Sequence, residues 1–275
     1  MAPTLHLVRH AQGYHNLSVA NQNMPDPLLT PYGKHQCEQL QSTFPYTSLI
    51  DAVFASPLKR TLQTGLLSFS SIISQKTLTV LAVPEIQETS DFPCDTGSDK
   101  AELEEEFKNQ PVDLSRVHKG WNSKTGRWAP TAAAIEERCR VARRLLRERK
   151  EEHIVVVTHG GLLHYFTEDW TDMDKFHGES VDCDDYIRES AAADFERAGT
   201  GWANTEVRSY IFDPVSGDNA SLVETEESRR RRRGLEKPLG EAEQRNLKRT
   251  ATLDSEKSEY VKQLEQDSVR VHAKV

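Results

Sequence analysis

The chain lacks several features that mark particular classes of protein. Its 275 residues include four cysteines with no Cys-x-x-Cys pair, so the sequence offers neither a metal knuckle nor an obvious disulfide framework. No apolar run is long enough for a secretory signal or a membrane span. The formal net charge of -8 argues against a general nucleic-acid binder. We therefore expect a cytoplasmic protein with reduced thiols and no nucleic-acid or membrane partner; its oligomeric state is left open.

Two histidines each follow a short apolar run. Residues 5–8 precede Arg9 and His10, and the β-branched run 154–158 precedes His159. The second run is typical of a strand buried on both faces of a parallel sheet. Because ligands of open α/β sheets collect at the carboxyl ends of the strands, these side chains are expected to share one pocket. Arginine suits phosphate and a neutral imidazole is a nucleophile, so the pattern indicates phosphoryl transfer through a phosphohistidine.

A second arginine follows another predicted strand, at residues 51–55. Ser56 and Pro57 are predicted to start a helix, with Ser56 as its N-cap. Arg60 would then lie in the first turn, where the amino end of the helix faces an anion at the edge of the sheet. The alternative is an arginine that is simply exposed to solvent.

Three motifs together resemble the histidine phosphatase superfamily, in the branch that includes the cofactor-dependent phosphoglycerate mutases. Their order and spacing agree with that family over about residues 4–213. Ala11 stands where the family usually has glycine, and Gln12 where an acidic or small polar residue is frequent. The motifs are Leu7-Val8-Arg9-His10-Ala11 with Asn16, Ala55-Ser56-Pro57-Leu58-Lys59-Arg60-Thr61 with Gln63-Thr64, and Val157-Thr158-His159-Gly160-Gly161.

The resemblance implies a three-layer α/β/α sandwich with a mostly parallel central sheet, like that of phosphoglycerate mutases. We predict that residues 1–223 form this domain, with an insertion at about 89–130 that shapes the substrate pocket. Residues 224–275 are predicted to form a charged, flexible tail. Aromatic residues of the insertion either pin it to the body or line the pocket, in which case the substrate is partly apolar: Phe92, Trp121 and Trp128.

The resemblance also implies a role for each pocket residue. His10 attacks phosphorus and is transiently phosphorylated, so the other nitrogen of its ring should donate to a fixed acceptor. Arg9, Asn16, Arg60 and His159 hold the transferred group, and His159 counts among the catalytic residues. The family needs no metal or other cofactor, because fixed cations and donors stabilise the transition state.

A carboxyl group is needed to protonate the leaving oxygen and later to deprotonate a water molecule. The family places it on the loop after the third strand, which we predict at residues 78–83. Glu88 fits that position best and is the third catalytic residue implied. Glu85 is its rival, and Asp91 or Asp95 could serve if the loop folds back.

Two further stretches are strongly charged. The aspartates between residues 167 and 203 match no calcium loop in spacing, so a solvated face is preferred to a metal site. After about Glu224 the chain is expected to be disordered or an exposed helix, and it contains the arginine run 229–233. A nuclear-import signal is the alternative to a solvated tail for that run.

Three functions fit these observations. The first is a phosphatase that hydrolyses a phosphate monoester of a small metabolite. The second is a phosphomutase, and the third is a non-catalytic binding protein that kept the fold. Glycolytic mutases of the family carry Glu-Arg-His-Tyr-Gly near the acid, whereas residues 88–92 read Glu-Thr-Ser-Asp-Phe here. The stretch 84–97 is more similar to fungal phosphomutase-like proteins.

Overall fold

The computed structural model describes residues 2–171, 201–234, 238–240, 242–249 and 251–252. Within them, seven strands form one sheet: β1 Thr4–Arg9, β2 Ala52–Ala55, β3 Val80–Ala82, β4 Val112–Asp113, β5 His153–Thr158, β6 Val207–Phe212 and β7 Leu222–Glu224. The strand order is β4-β3-β2-β5-β1-β6-β7. The strands from β4 to β1 are parallel, and β6 and β7 are antiparallel additions at one edge.

Helices cover both faces of the sheet: α1 Pro31–Thr43, α2 Lys59–Ser68, α3 Ser70–Lys76, α4 Lys100–Glu106, α5 Ala132–Arg147, α6 Gly160–Thr167 and α7 Glu226–Arg233. In β5, Val155 and Val157 pack with the apolar side chains of α1 to α3. Ile154 and Val156 point to the other face and pack with α5 and α6. A strand buried on both faces needs such a continuous apolar run. The predicted three-layer α/β/α architecture is confirmed.

The capping residue predicts the start of α1 and of α5 correctly, but not the start of α2. Thr30 accepts a bond from the Gly33 amide at 2.9 Å at the start of α1, and Thr131 caps α5 in the same way, as a threonine before a helix favours. The prediction that Ser56 caps α2 is wrong. That helix begins at Lys59, and Leu58 before it has an extended backbone. The Ser56 hydroxyl contacts His159 instead, so a tertiary contact overrides the local signal.

Because of the strand register, the loops that carry His10 and His159 begin next to each other at the carboxyl edge of the sheet. β1 and β5 pair from Thr4↔His153 to Arg9↔Thr158, and the His10 amide continues the ladder to the Thr158 carbonyl at 2.9 Å. The Ser56 amide, at the end of β2, likewise donates to the Val157 carbonyl at 3.0 Å. Residues 10, 56 and 159 therefore leave the carboxyl edge side by side.

The insertion at 89–130 is anchored by its own apolar side chains. Trp121 is 1% exposed, belongs to the main core and donates its indole N–H to the Ser98 carbonyl at 3.2 Å. Of the two alternatives for Trp121, the structure supports the anchoring one. Trp128 is partly buried under the Arg127 guanidinium, and Phe92 is partly exposed.

Beyond Glu224 the chain forms α7, which is one of the two forms expected there. Ser228 is buried and accepts a bond from the Ser209 amide at 2.9 Å, which docks the helix on β6. Arg230 and Arg232 of the arginine run pair with glutamates of the protein itself. The domain boundary at 223 and a targeting role for this run stay predictions.

Two further points concern the charged stretches and membranes. Of the aspartates between residues 167 and 203, Asp172, Asp174, Asp182, Asp184 and Asp185 lie outside the described residues, and Asp169 is bonded to Thr171 and Gln244. Within the described ranges, no helix combines the length and the apolar character that crossing a bilayer requires.

Candidate active site

His10 is held in the form that a nucleophile requires. Its Nδ1 lies 2.7 Å from the Ala11 carbonyl oxygen. A carbonyl can only accept, so Nδ1 carries the proton and Nε2 keeps its lone pair. Burial lowers the pKa of His10 well below its usual value, and the charges of Arg60, His15 and Arg9 act in the same direction. The ring is therefore neutral at neutral pH.

His159 faces His10, with ring centroids 5.3 Å apart. Arg60 donates through Nη2 to His159 Nδ1 at 3.1 Å, which leaves the Nε2–H to donate to the Ser56 hydroxyl at 2.8 Å. Burial, and then the charge of Arg60, lowers the pKa of His159 well below its usual value. Arg60 and Ser56 thus fix both the tautomer and the orientation of this imidazole.

Arg60 is fully buried and is oriented from the insertion. Its Nη1 donates to the Cys94 carbonyl at 2.6 Å, and its Nη2 donates to Asp95 Oδ1 at 2.8 Å. The second oxygen of Asp95 accepts a bond from the Ser90 hydroxyl at 2.6 Å. Asp95 is therefore engaged with Arg60 and Ser90, in contrast to the exposed Asp91.

Arg9 lies on the opposite flank, where the segment before β6 covers the end of β1. Arg9 is buried and donates to the Trp202 carbonyl. Asn204 donates through Nδ2 to the His10 carbonyl at 2.8 Å, and the Thr205 amide donates to the Arg9 carbonyl at 3.0 Å. Asn204 carries no local signal of this role, because only the fold brings it to residue 10.

The loop that follows His10 is fixed by contacts with α1 and α2. The Ala11 amide donates to Thr64 Oγ1 at 3.0 Å, so the motif threonine of α2 holds the backbone beside the nucleophile. The Gln12 carbonyl accepts from the Thr30 amide at 3.0 Å. Gly33 packs so closely that an added Cβ would lie 2.1 Å from the Gln12 carbonyl oxygen. Only a glycine fits at that position.

The carboxylate of Glu88 lies at the amino end of α6, the helix that begins immediately after His159. The carboxylate accepts from the Leu162 amide at 2.9 Å and the Gly161 amide at 3.2 Å. A Cβ at Gly161 would lie 2.8 Å from Glu88 Oε1, so the glycine allows this approach. Burial, and then the charge of Asp95, raises the pKa of Glu88 above its usual value. The structure thus places a carboxyl group with a raised pKa next to the histidine pair.

Glu85, the rival carboxylate, is committed elsewhere. It is buried, and its Oε1 accepts from Arg127 Nη2 at 3.0 Å. Arg138 of α5 holds the loop that carries both glutamates. It donates to the Glu85 carbonyl at 2.9 Å, to the Glu88 carbonyl at 3.0 Å and also to the Gln87 carbonyl. Arg138 was missed in the sequence, where it appears as one of many charges on α5.

Two neighbours of His10 complete the description. Asn16 accepts a bond from the Gly13 amide at 3.0 Å, so its carbonyl oxygen closes the local turn and its contact with phosphate stays a prediction. His15 was missed: its ring centroid is 5.3 Å from that of His10, and burial followed by the charge of Arg60 lowers its pKa. The pocket therefore contains three imidazoles.

A neutral histidine with a free Nε2, set between two buried guanidiniums at the edge of a parallel sheet, defines a phosphoryl-transfer site of the phosphohistidine type. The family model described as the histidine phosphatase superfamily (branch 1) matches residues 5–191. The chain belongs to that superfamily, which confirms the family predicted from the three motifs.

Curated relatives agree with this assignment. A probable phosphatase of Schizosaccharomyces pombe is 28% identical over 159 residues, which cover 57% of this chain and 74% of the relative. A phosphoglycerate mutase-like protein of Arabidopsis thaliana is 28% identical over 200 residues, which cover 58% of this chain and 72% of the relative. Among solved structures, the ecdysone phosphate phosphatase of Bombyx mori has a TM-score of 0.51 at 14% identity and covers 80% of this chain and 92% of its own. That likeness concerns the fold.

Proposed function

We propose that this histidine phosphatase hydrolyses a phosphate monoester of a small metabolite, with His10 as the nucleophile. The observation that carries the proposal is the bond from His10 Nδ1 to the Ala11 carbonyl at 2.7 Å, because it fixes on Nδ1 the proton of a ring that burial keeps neutral, and so leaves the lone pair of Nε2 for attack. The buried Nε–H of Arg60 supports it, since this donor has no partner among the described residues. A phosphoryl oxygen is the acceptor it would take.

In the first half-reaction, Nε2 of His10 attacks phosphorus and the bond from phosphorus to the ester oxygen breaks. Arg9 and Arg60 stabilise the charge on the equatorial oxygens, and His159 joins them when its Nε2–H exchanges the Ser56 hydroxyl for a phosphoryl oxygen. Glu88 donates its proton to the leaving oxygen, and the raised pKa of this carboxyl group favours the protonated form that the step requires. The products are an alcohol and phosphorylated His10.

In the second half-reaction, a water molecule attacks the phosphoryl group on His10. Glu88, now ionised, accepts a proton from that water, the bond between nitrogen and phosphorus breaks, and inorganic phosphate leaves. Glu88 is thereby returned to its acid form. Its bonds to the amides at the start of α6 stabilise the ionised state between the two steps.

The first experiment measures turnover of p-nitrophenyl phosphate by the wild type and by His10→Asn, with the exposed His118→Asn as a matched control. We expect His10→Asn to be inactive and His118→Asn to match the wild type. A rapid quench at alkaline pH should trap phosphate on His10. Activity retained in His10→Asn would refute the nucleophile, and an inactive wild type would favour a binding protein.

The second experiment compares Glu88→Gln with Glu85→Gln on two esters that differ in leaving group. An alkyl oxide needs a proton and a nitrophenoxide hardly does, so loss of the acid should cost about 10²- to 10⁴-fold in kcat on an alkyl phosphate and much less on p-nitrophenyl phosphate. Glu85→Gln should show no such difference. Selective loss in Glu85→Gln would instead assign the acid to that residue.

A third measurement separates the phosphatase from a phosphomutase. The protein is supplied with a bisphosphate primer and a monophosphate ester that has a second hydroxyl group. Release of inorganic phosphate is the expected result. Isomerised ester without free phosphate would show that the phosphoryl group returns to the substrate and would overturn the hydrolase proposal.

A further inference from the structure

Lys124, in the insertion, carries a partly buried ammonium group with little to bind it. Its Nζ donates to the Glu88 carbonyl at 3.2 Å, and it has no ion-pair partner among the described residues. Lys76 and Lys108, by contrast, pair with carboxylates at the surface. An ammonium group has three donors, so two of those of Lys124 are unused by the described protein. The charges of Asp95 and Glu88 act on this ammonium group only from beyond ion-pair distance, and a partly desolvated charge with no paired carboxylate calls for a further partner.

The position of Lys124 indicates which part of a substrate it would meet. Its positive charge contributes to the lowered pKa of His159, and the charge of Glu88 acts on Lys124 in turn, so Lys124 lies beside the pocket. Its one hydrogen bond is to the residue proposed to protonate the leaving oxygen. Arg9 and Arg60 already serve the phosphoryl end. Because the bond from Lys124 is to the backbone carbonyl of Glu88, an ester bound between His10 and the Glu88 carboxyl group would turn its leaving-group end towards Lys124.

We propose that Lys124 forms a subsite for a second anionic group, a carboxylate or a phosphate, on the leaving-group portion of the substrate. This inference rests on the proposed phosphatase function and narrows its substrate class to monoesters with an additional negative charge. It differs from the partly apolar substrate expected if the insertion aromatics lined the pocket; of these aromatics, Trp121 is buried in the core.

The protonation of Lys124 agrees with this role. Desolvation lowers the pKa of Lys124 to about 8, and the charges of Arg138 and Arg60 act in the same direction, whereas those of Asp95 and Glu88 oppose it. The group is charged at neutral pH and becomes neutral above about pH 8. A preference for doubly anionic esters should therefore decline above that pH in the wild type, by up to tenfold per pH unit.

The test compares kcat/KM for two matched pairs of esters. The first pair is 3-phosphoglycerate and glycerol 3-phosphate, which differ by a carboxylate, and the second is propane-1,3-diol bisphosphate and its monophosphate. We expect the wild type to prefer the anionic member of at least one pair. Lys124→Met should abolish that preference, a loss of about 10- to 100-fold for one charge-assisted hydrogen bond, and should change p-nitrophenyl phosphate turnover less than threefold.

Two further variants complete the design. Lys119→Met removes an exposed lysine of the same insertion and should leave every ratio unchanged. Lys124→Arg keeps the charge and should retain part of the preference, and thermal unfolding reports whether each variant is folded. If Lys124→Met does not fold, Lys124→Gln, which removes the charge but keeps a polar side chain, takes its place, and an unchanged preference in that variant overturns the subsite.

The results that would overturn the subsite differ from the result that would overturn the proposed function. A wild type that turns over p-nitrophenyl phosphate but prefers neither anionic ester overturns the subsite and leaves the proposed function standing. Equal losses on all esters in Lys124→Met would show that Lys124 serves the transferred phosphoryl group, which also overturns the subsite. Failure of the wild type on every ester overturns the proposed function itself.

Discussion

Replacing Gly33 by alanine should damage the site from outside the pocket. The new Cβ would lie 2.1 Å from the Gln12 carbonyl oxygen, whereas a carbon and an oxygen that are not bonded to each other need about 3.2 Å. The gap must therefore open by about 1 Å. The obstacle is backbone, fixed by bonds to Thr30 and Gln36, so no side chain can swing aside.

The displacement has two consequences of calculable size. Overpacking of this kind costs about 1–3 kcal/mol of unfolding free energy. Gln12 follows Ala11, whose carbonyl orients the His10 ring, so a shift of about 1 Å reaches the nucleophile. A misplacement of that size lowers turnover by about 10²-fold. We expect Gly33→Ala to lose both stability and kcat on p-nitrophenyl phosphate.

Gly65→Ala is the matched control, since Gly65 is also a buried helical glycine. Its added Cβ would make an ordinary contact of 3.4 Å with Val80 Cγ1. Alanine favours the helix by about 1 kcal/mol, so Gly65→Ala should be as stable as the wild type or slightly more so. Calorimetry and steady-state kinetics measure both variants. Wild-type Tm and kcat in Gly33→Ala would refute the reasoning.

Three further predictions concern buried polar groups. Arg138→Lys cannot span the carbonyls of the Glu88 loop, so kcat on an alkyl phosphate should fall about 10- to 100-fold, and less on p-nitrophenyl phosphate. Arg143→Lys, equally buried on α5 but bonded to the carbonyls of Phe166 and Asn219, outside that loop, should affect stability alone. Burial lowers the pKa of His6 to about 3, so His6 takes up a proton on unfolding below about pH 6.5. The free energy of unfolding therefore decreases as the pH is lowered from about 6.5. His6→Gln should reduce that slope by about 1.4 kcal/mol per pH unit in urea titrations. Ser56→Ala removes the acceptor of His159 and should lower kcat about tenfold.

Each of these predictions has a contrary result. Equal losses on both esters in Arg138→Lys would show that the arginine supports the fold and not the acid. An unchanged slope between pH 6.5 and 4 in His6→Gln would mean that His6 keeps an ordinary pKa in the folded state. Full activity of Ser56→Ala would show that Arg60 alone orients the imidazole of His159.

The sequence was sufficient for the parts of the molecule whose signals are local. Continuous apolar runs predict β1 and β5, and the carboxyl-edge rule then brings His10 and His159 together, which the register confirms. The first residues of α1 and α5 follow from their capping threonines. The two-residue β4 and the three-residue β7 were missed, because so few residues carry no periodicity.

Long-range contacts account for the remaining differences. Ser56 followed by proline is a sound local cap signal, yet the hydroxyl is drawn to His159, about a hundred residues away in the chain. The pairing of Asp95 with Arg60 and the grip of Arg138 on the Glu88 loop also join distant segments. A single sequence contains no record of such pairs. Tertiary contact, and not local preference, decides them.

The grip of the insertion on Arg60 limits how substrate preference could be re-engineered. A chimera that exchanged residues 89–130 for the corresponding loop of a relative would lose the Cys94 carbonyl and the Asp95 carboxylate together. The arginine would then be free to turn away from His159. Recognition and chemistry are mechanically linked here, so loop grafting has to carry its own acceptors for this guanidinium.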